Sequence, residues 1–222
     1  MTCGNLLCGC VGIVSAFRGD WLLAGALIFV AAVLDFLDGF VARLLNQSSP
    51  IGKELDSLAD VVTFGVLPSM LIFQLLEKAN PALDSVLMSS IAFVMAVFSA
   101  LRLAKFNIDT RQSDSFIGVP TPANAIVVAS LPFILRFNPE FEPWIVNQAT
   151  LISYTLVMSF LLIAELPLFA LKFKSFGWKG NEIKFIFLML SVILLILLKF
   201  AAIPLIVGLY IIMSAPIPRR GH

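Results

Sequence analysis

The chain has 222 residues, 59% hydrophobic and 13% charged, where an ordinary soluble domain carries about 25% charged residues. That composition excludes a soluble globular fold and assigns the chain to a bilayer. A net charge of +1 with no dense Lys/Arg run also argues against a nucleic-acid partner.

The first apolar run, 3–18, holds Cys3, Cys8 and Cys10, whose spacing fits neither a disulfide framework nor a usual zinc site, so they read as small apolar helix residues. The start Met-Thr-Cys-Gly-Asn-Leu-Leu lacks a basic region, which argues against a cleaved signal peptide. Further apolar runs at 21–45, 52–76, 85–104, 121–137, 147–171, 182–199 and 200–216 follow. A hydrocarbon core of about 30 Å takes ~20 helical residues to cross. The pattern therefore predicts an all-α, polytopic transmembrane helix bundle of about eight spans. Lys199 and Pro204 divide the stretch 182–215 into a hairpin with its turn near Phe200. With no internal repeat and no low-complexity linker, residues 1–222 read as one integral membrane domain.

Cytoplasmic loops carry the excess of Lys and Arg. If the 43–53 turn is cytosolic, Arg43, Lys53, Arg102, Lys105, Arg111, Lys172, Lys174, Lys179, Lys184, Arg219 and Arg220 fall inside, and only Arg18, Lys78, Arg136 and Lys199 fall outside. This asymmetry predicts an even number of spans with both termini cytosolic.

The second and third spans contain Asp35-Phe-Leu-Asp38-Gly39-Phe-Val-Ala42-Arg43, eight residues, then Gly52-Lys-Glu-Leu-Asp56-Ser-Leu-Ala-Asp60. On helices, Asp35 and Asp38 share one stripe with Gly39 and Ala42, and Gly52, Asp56 and Asp60 share another, so two acidic faces can meet across a short turn. An ionised carboxylate in a membrane segment costs at least roughly 2.5 kcal/mol, and close carboxylates repel. Their hard oxygens suit Mg²⁺, Mn²⁺ or Ca²⁺, and no His or Cys lies near them in the sequence to suggest zinc or copper. One or two divalent cations would offset the charge and leave positions open to phosphate oxygens. Gly39, Ala42 and Gly52 allow close approach to the backbone, and Arg43 offers a planar fork for phosphate. Asp35 lies about 21 Å along its helix from the interface anchor Trp21, which places the acids near the cytosolic boundary. Carboxylates alone fit an ion pathway in a transporter equally well; the glycines, Ala42 and Arg43 at fixed offsets favour phosphoryl transfer.

This stretch resembles the D-x2-D-G-x2-A-R-x8-G-x3-D-x3-D pattern of the CDP-alcohol phosphotransferase family, with all eight specified identities present over residues 35–60. The resemblance implies that Asp35, Asp38, Asp56 and Asp60 hold divalent metal, with two Mg²⁺ or Mn²⁺ ions the preferred count and Ca²⁺ as a substitute in crystals. Asp60 corresponds to the family's general base. Asp38, Gly39, Ala42, Arg43 and Gly52 correspond to the CDP-binding set.

Arg102-Leu-Ala-Lys105-Phe106-Asn107 and Phe116-Ile-Gly118-Val-Pro120-Thr121-Pro122 resemble segments of the family's bacterial and archaeal phosphatidylserine synthases, which usually have Arg where Lys105 stands. Asn5-Leu-Leu resembles that subgroup's opening segment and adds Asn5 to the CDP-binding set. The subgroup implies CDP-diacylglycerol and L-serine as substrates, release of CMP, membrane lipid as surroundings, and a prokaryotic inner membrane with the site facing the cytosol. It is compatible with a homodimer. A serine pocket needs a cation for the carboxylate, and Arg102, Lys105 and Asn107 are the candidates. Glycerol phosphate or inositol phosphate remain alternative acceptors, ones that would demand a denser basic pocket. Glu165 reads as an acid snorkelling at a helix end, and His222 as a tail residue.

Overall fold

The computed structural model describes residues 1–45, 49–80, 86–108, 115–169, 177–178 and 181–214. Arg111, Lys172, Lys174, Lys179, Arg219, Arg220 and His222, invoked above for topology or as a tail, lie outside the described residues.

Helix α1 (Thr2–Phe17) turns at Gly19, whose φ of +82° is open to glycine, into α2 (Trp21–Leu44). The Asp20 carboxylate caps α2 by accepting from the Leu23 amide at 3.0 Å. The third helix opens with Ser49 as cap and Pro50 in its first turn, a sequence suited to a helix start, and runs as α3 over Pro50–Asp60. A π-helical turn, Val61–Val66, then passes without a break into α4, Leu67–Ala79. A short α5 (Val86–Ser89) and a 3₁₀ turn lead into α6 (Val94–Ile108). Helix α7 spans Thr121–Phe137, the four-residue α8 Glu142–Ile145, and α9 Gln148–Ile163. The C-terminal pair is α10 (Glu182–Leu198) and α11 (Ala202–Ser214).

Among the described residues, helix occupies each of the apolar runs. By length and composition, 21–44, 51–79, 86–108 and 182–214 are each long and apolar enough to cross a membrane, and 139–145 with 148–163 adds a fifth if that bent pair is one span. The last of these stretches is not straight. Phe187 and Tyr210 lie 5.7 Å apart, so the chain folds back between them, at Lys199–Ala201. This is the hairpin expected from Lys199 and Pro204. Its turn is fixed by Phe200, which stacks on Phe133 at 4.6 Å and Phe137 at 5.9 Å.

One expectation needs correction. The run 147–171 does not continue as helix: α9 stops at Ile163, and Pro167–Phe169 forms a strand β2 antiparallel to β1, Ser115–Ile117. Pro167 has no amide hydrogen to extend the helix and disfavours helical geometry at Leu166. Among the described residues the regular structure is therefore helical apart from this small ladder. The third helix contains the π turn directly after Asp60.

The core joins α1, α2, the π turn, α4, α6, α7 and α9 through Ile28, Phe64, Leu67, Leu71, Met95, Val128 and Leu162. Helix α1 approaches very closely: a Cβ on Gly9 would lie 2.4 Å from Thr63 Oγ1, and one on Gly12 2.4 Å from Leu67 Cδ2. Small residues at helix contacts of this kind permit the backbone approach on which membrane packing depends. Opposite ends of the bundle differ in character. Trp21, Lys78 and Arg136 line one cleft at one end, with Lys78 paired to Glu142 at 2.6 Å. Asp35, Asp56, Asp60 and Lys53 lie at the other.

Gly118 joins the ladder to α7 at a φ of +75°, and a Cβ there would meet the Leu162 carbonyl at 2.5 Å. Gly118→Ala is expected to lower stability by at least about 1–2 kcal/mol, read as a lower Tm in detergent. Gly208→Ala on α11, where an added Cβ meets nothing within 4 Å, should leave Tm unchanged or raise it.

Candidate active site

The site begins with the carboxylates. Asp35 on α2 and Asp56 and Asp60 on α3 each present an oxygen, and these oxygens lie within 4.8 Å of one another. Asp60 is buried, Asp35 and Asp56 half-buried. Two helices joined by a short turn bring one acid from the first and two from the second to a single point, as the stripe spacing requires. Asp38 is held differently: the Thr2 hydroxyl donates to its carboxylate.

Helix α1 also fixes Asp60. Asn5 is fully buried, and its side-chain amide donates to Asp60 Oδ1 at 3.0 Å. The Asn5 carbonyl in turn accepts from Thr63 Oγ1, in the π turn, at 3.1 Å. Asn5 was expected among the CDP-binding residues; here its side chain reaches an acid of the cluster. The buried Asn5 Oδ1 has no hydrogen-bond partner among the described residues.

The donor set fits a divalent cation. Three carboxylates crowded together in an apolar bundle repel unless a positive charge sits among them. Their oxygens are hard ligands, and among the described residues the cluster includes neither His nor Cys. Beside it, the Arg43 guanidinium packs over Gly39, where an added Cβ would lie 3.4 Å from Arg43 Nη1. Ala42 lies half-buried on the same helix. Gly52 donates its amide to the Ser49 hydroxyl at 3.0 Å, within the helix cap.

The expected acceptor residues divide. Arg102 on α6 is buried, donates from Nη1 to Thr121 Oγ1 at 3.2 Å, and lies within electrostatic reach of Asp60. Its Nε is buried without a partner. Asn107 is tied to α3: its amide donates to Ser57 Oγ at 2.9 Å and its carbonyl accepts from Lys53 Nζ at 3.3 Å. Lys105 is exposed. Sequence reasoning missed Thr2, Ser57 and Thr121 as partners of site residues. Nothing in the local pattern of Thr2 or Ser57 signals the contact, whereas Thr121 sits in a segment already singled out.

A family model described as CDP-alcohol phosphatidyltransferase matches residues 1–163. The chain belongs to the CDP-alcohol phosphatidyltransferase family. The matched segment contains the whole carboxylate cluster, Asn5, Arg43 and Arg102. Similar proteins include the CDP-diacylglycerol–serine O-phosphatidyltransferase of Helicobacter pylori, 32% identical over 215 residues, or 95% of this chain and 86% of the relative. The Bacillus subtilis protein of the same description is 39% identical over 139 residues, 63% of this chain and 75% of the relative. That of Methanocaldococcus jannaschii is 37% identical over 148 residues, 67% and 66% respectively.

Mn²⁺ titration followed by electron paramagnetic resonance tests the cluster without a turnover assay. Asp35→Asn and Asp56→Asn should weaken Mn²⁺ binding strongly. Asn5→Ala should weaken it about tenfold through loss of the group that orients Asp60. Equal affinity in all variants and the parent would exclude a metal at these acids.

Proposed function

We propose that this family member transfers the phosphatidyl group of CDP-diacylglycerol to L-serine and releases CMP, in a prokaryotic inner membrane with the site open to the cytosol. The observation that carries the serine reading is Arg102: a buried guanidinium within electrostatic reach of Asp60, with a donor left unpartnered, the feature expected of a site whose acceptor brings an anionic group. The activity for which these relatives are named supports the same substrates. The reading treats residues 1–222 as one membrane domain of eight spans with cytosolic termini. The separation of Lys78 and Arg136 from Lys53 and the acids at opposite ends of the bundle supports that topology.

In this mechanism Asp35, Asp38, Asp56 and Asp60 would hold one or two divalent ions, Mg²⁺ or Mn²⁺. Such ions neutralise diphosphate charge when bound. Gly39, Ala42 and Gly52 leave room for the nucleotide, and Arg43 pairs with phosphate oxygens. Asp60, oriented by Asn5 at 3.0 Å, accepts the proton of the serine hydroxyl. The hydroxyl oxygen then bonds to the lipid-side phosphorus as the bond to the CMP oxygen breaks. Arg102 keeps the serine carboxylate from repelling the diphosphate. What these residues contribute is alignment and charge compensation. The lipid tails stay in the bilayer throughout.

Steady-state CMP release against a panel of alcohols, with purified protein and CDP-diacylglycerol, tests the reading. Serine should support release; release with glycerol phosphate or inositol phosphate in its place would reassign the acceptor. Excess chelator should abolish activity and Mg²⁺ or Mn²⁺ restore it, while full activity in metal-free buffer would sink the site model. Asp60→Asn should eliminate turnover yet keep much CDP-diacylglycerol binding, and near-normal turnover would remove Asp60 as base.

Arg102→Lys keeps the charge but loses the planar fork. It should lower kcat/KM for serine about tenfold to a hundredfold, chiefly through KM, with donor binding little changed. A parental serine KM in both Arg102→Lys and Arg102→Ala would mean that Arg102 does not bind the acceptor.

A further inference from the structure

The C-terminal hairpin lies beyond the family-matched residues 1–163, yet it reaches the surroundings of Arg102. Tyr210 on α11 donates its hydroxyl to the Phe169 carbonyl at 2.8 Å. Its ring meets Phe169 edge-on at 5.0 Å and Phe187 at 5.7 Å. It also packs against the cluster of Val119, Met158 and Leu168. Val119 is two residues from Thr121, the residue that accepts from Arg102 Nη1. Tyr210 and Arg102 are close enough to interact electrostatically.

The hydrogen-bonding capacity of the two groups is complementary. Arg102 has only donors, and its Nε is buried without an acceptor. A phenol has one proton, and Tyr210 commits it to Phe169, so its oxygen is left with lone pairs and acts as an acceptor. An anion-binding fork on Thr121 and an acceptor oxygen on a ring packed against Val119, two residues away, suit a zwitterion: a carboxylate for the first, an ammonium for the second.

We propose that Tyr210 is a specificity-determining residue, its phenolic oxygen accepting from the ammonium of the amino-acid acceptor while Arg102 binds the carboxylate. This rests on the serine-transfer reading above and deepens it, because it names the group that separates an amino acid from a plain hydroxy acid. The hairpin outside the family match then supplies half of the acceptor pocket.

Tyr210→Phe removes one oxygen and keeps the ring contacts. CMP release is measured at saturating CDP-diacylglycerol with L-serine and with 3-hydroxypropionate, which has the same hydroxyl and carboxylate but no ammonium. The variant should lose about tenfold in kcat/KM for serine, with 3-hydroxypropionate and the CDP-diacylglycerol KM unchanged. An unaltered ratio between the two acceptors, including a uniform loss with both, overturns the proposal and leaves Tyr210 a packing residue. In the unmutated protein, L-alanine should inhibit serine-dependent release at much lower concentration than propionate. Equal inhibition overturns the proposal even if the variant fails to fold, as judged by detergent gel filtration. Absence of serine-dependent release from the unmutated protein would instead overturn the serine-transfer reading, and this assignment with it.

Discussion

Like charges held together in an apolar medium constrain everything around them. Asp35, Asp56 and Asp60 converge to within 4.8 Å among helices whose lengths and composition belong in a bilayer. Each ionised carboxylate there costs about 2.5–3.5 kcal/mol on insertion scales, before mutual repulsion is counted. A bundle tolerates such a cluster only if it supplies compensation. Arg102 lies within electrostatic reach, Asn5 donates to Asp60, and Thr2 donates to the neighbouring Asp38. The remaining deficit of positive charge suits the cluster to a divalent ion.

The same constraint explains the packing of α1. A donor can reach Asp60 from this helix only if the helix lies against the π turn, and Gly9 and Gly12 make that contact sterically feasible. The tie between α6 and α3 through Asn107, Ser57 and Lys53 does similar work from the other side. Elements that look like generic membrane packing therefore also hold the acids at their separation.

Much of this was legible in the sequence. The apolar runs gave the helices nearly one for one, and Lys199 with Pro204 marked the hairpin, because span length and intramembrane charge are properties of local composition. The stripes predicted a meeting of Asp35, Asp38, Asp56 and Asp60, since helical periodicity fixes which residues share a face, and Asp35, Asp56 and Asp60 converge as expected. Contacts made across long separations were not legible: Thr2 with Asp38, Arg102 with Thr121, and Tyr210 with Phe169 depend on how helices dock. The end of α9 was missed because an apolar count runs through Pro167, although the ring itself interrupts the helix.

The π turn also changes how the third helix divides its labour. Read at 3.6 residues per turn, Asp56, Asp60, Phe64, Leu67, Leu71 and Leu75 fall on one continuous stripe. An unbroken α-helix would aim the acids and the largest core side chains at the same neighbours. Between them the Leu67 amide bonds back to the Val62 carbonyl, five residues earlier. A π turn of this kind adds one residue to the helical count and advances the phase by about 100°. The two parts of the stripe are offset in phase yet keep one neighbour in common, α1, which meets Asp60 through Asn5 and Leu67 through Gly12. Seen this way, losing a single residue between 61 and 66 would be a rotation rather than a shortening, with the carboxylates swung toward the core or the core turned out to lipid.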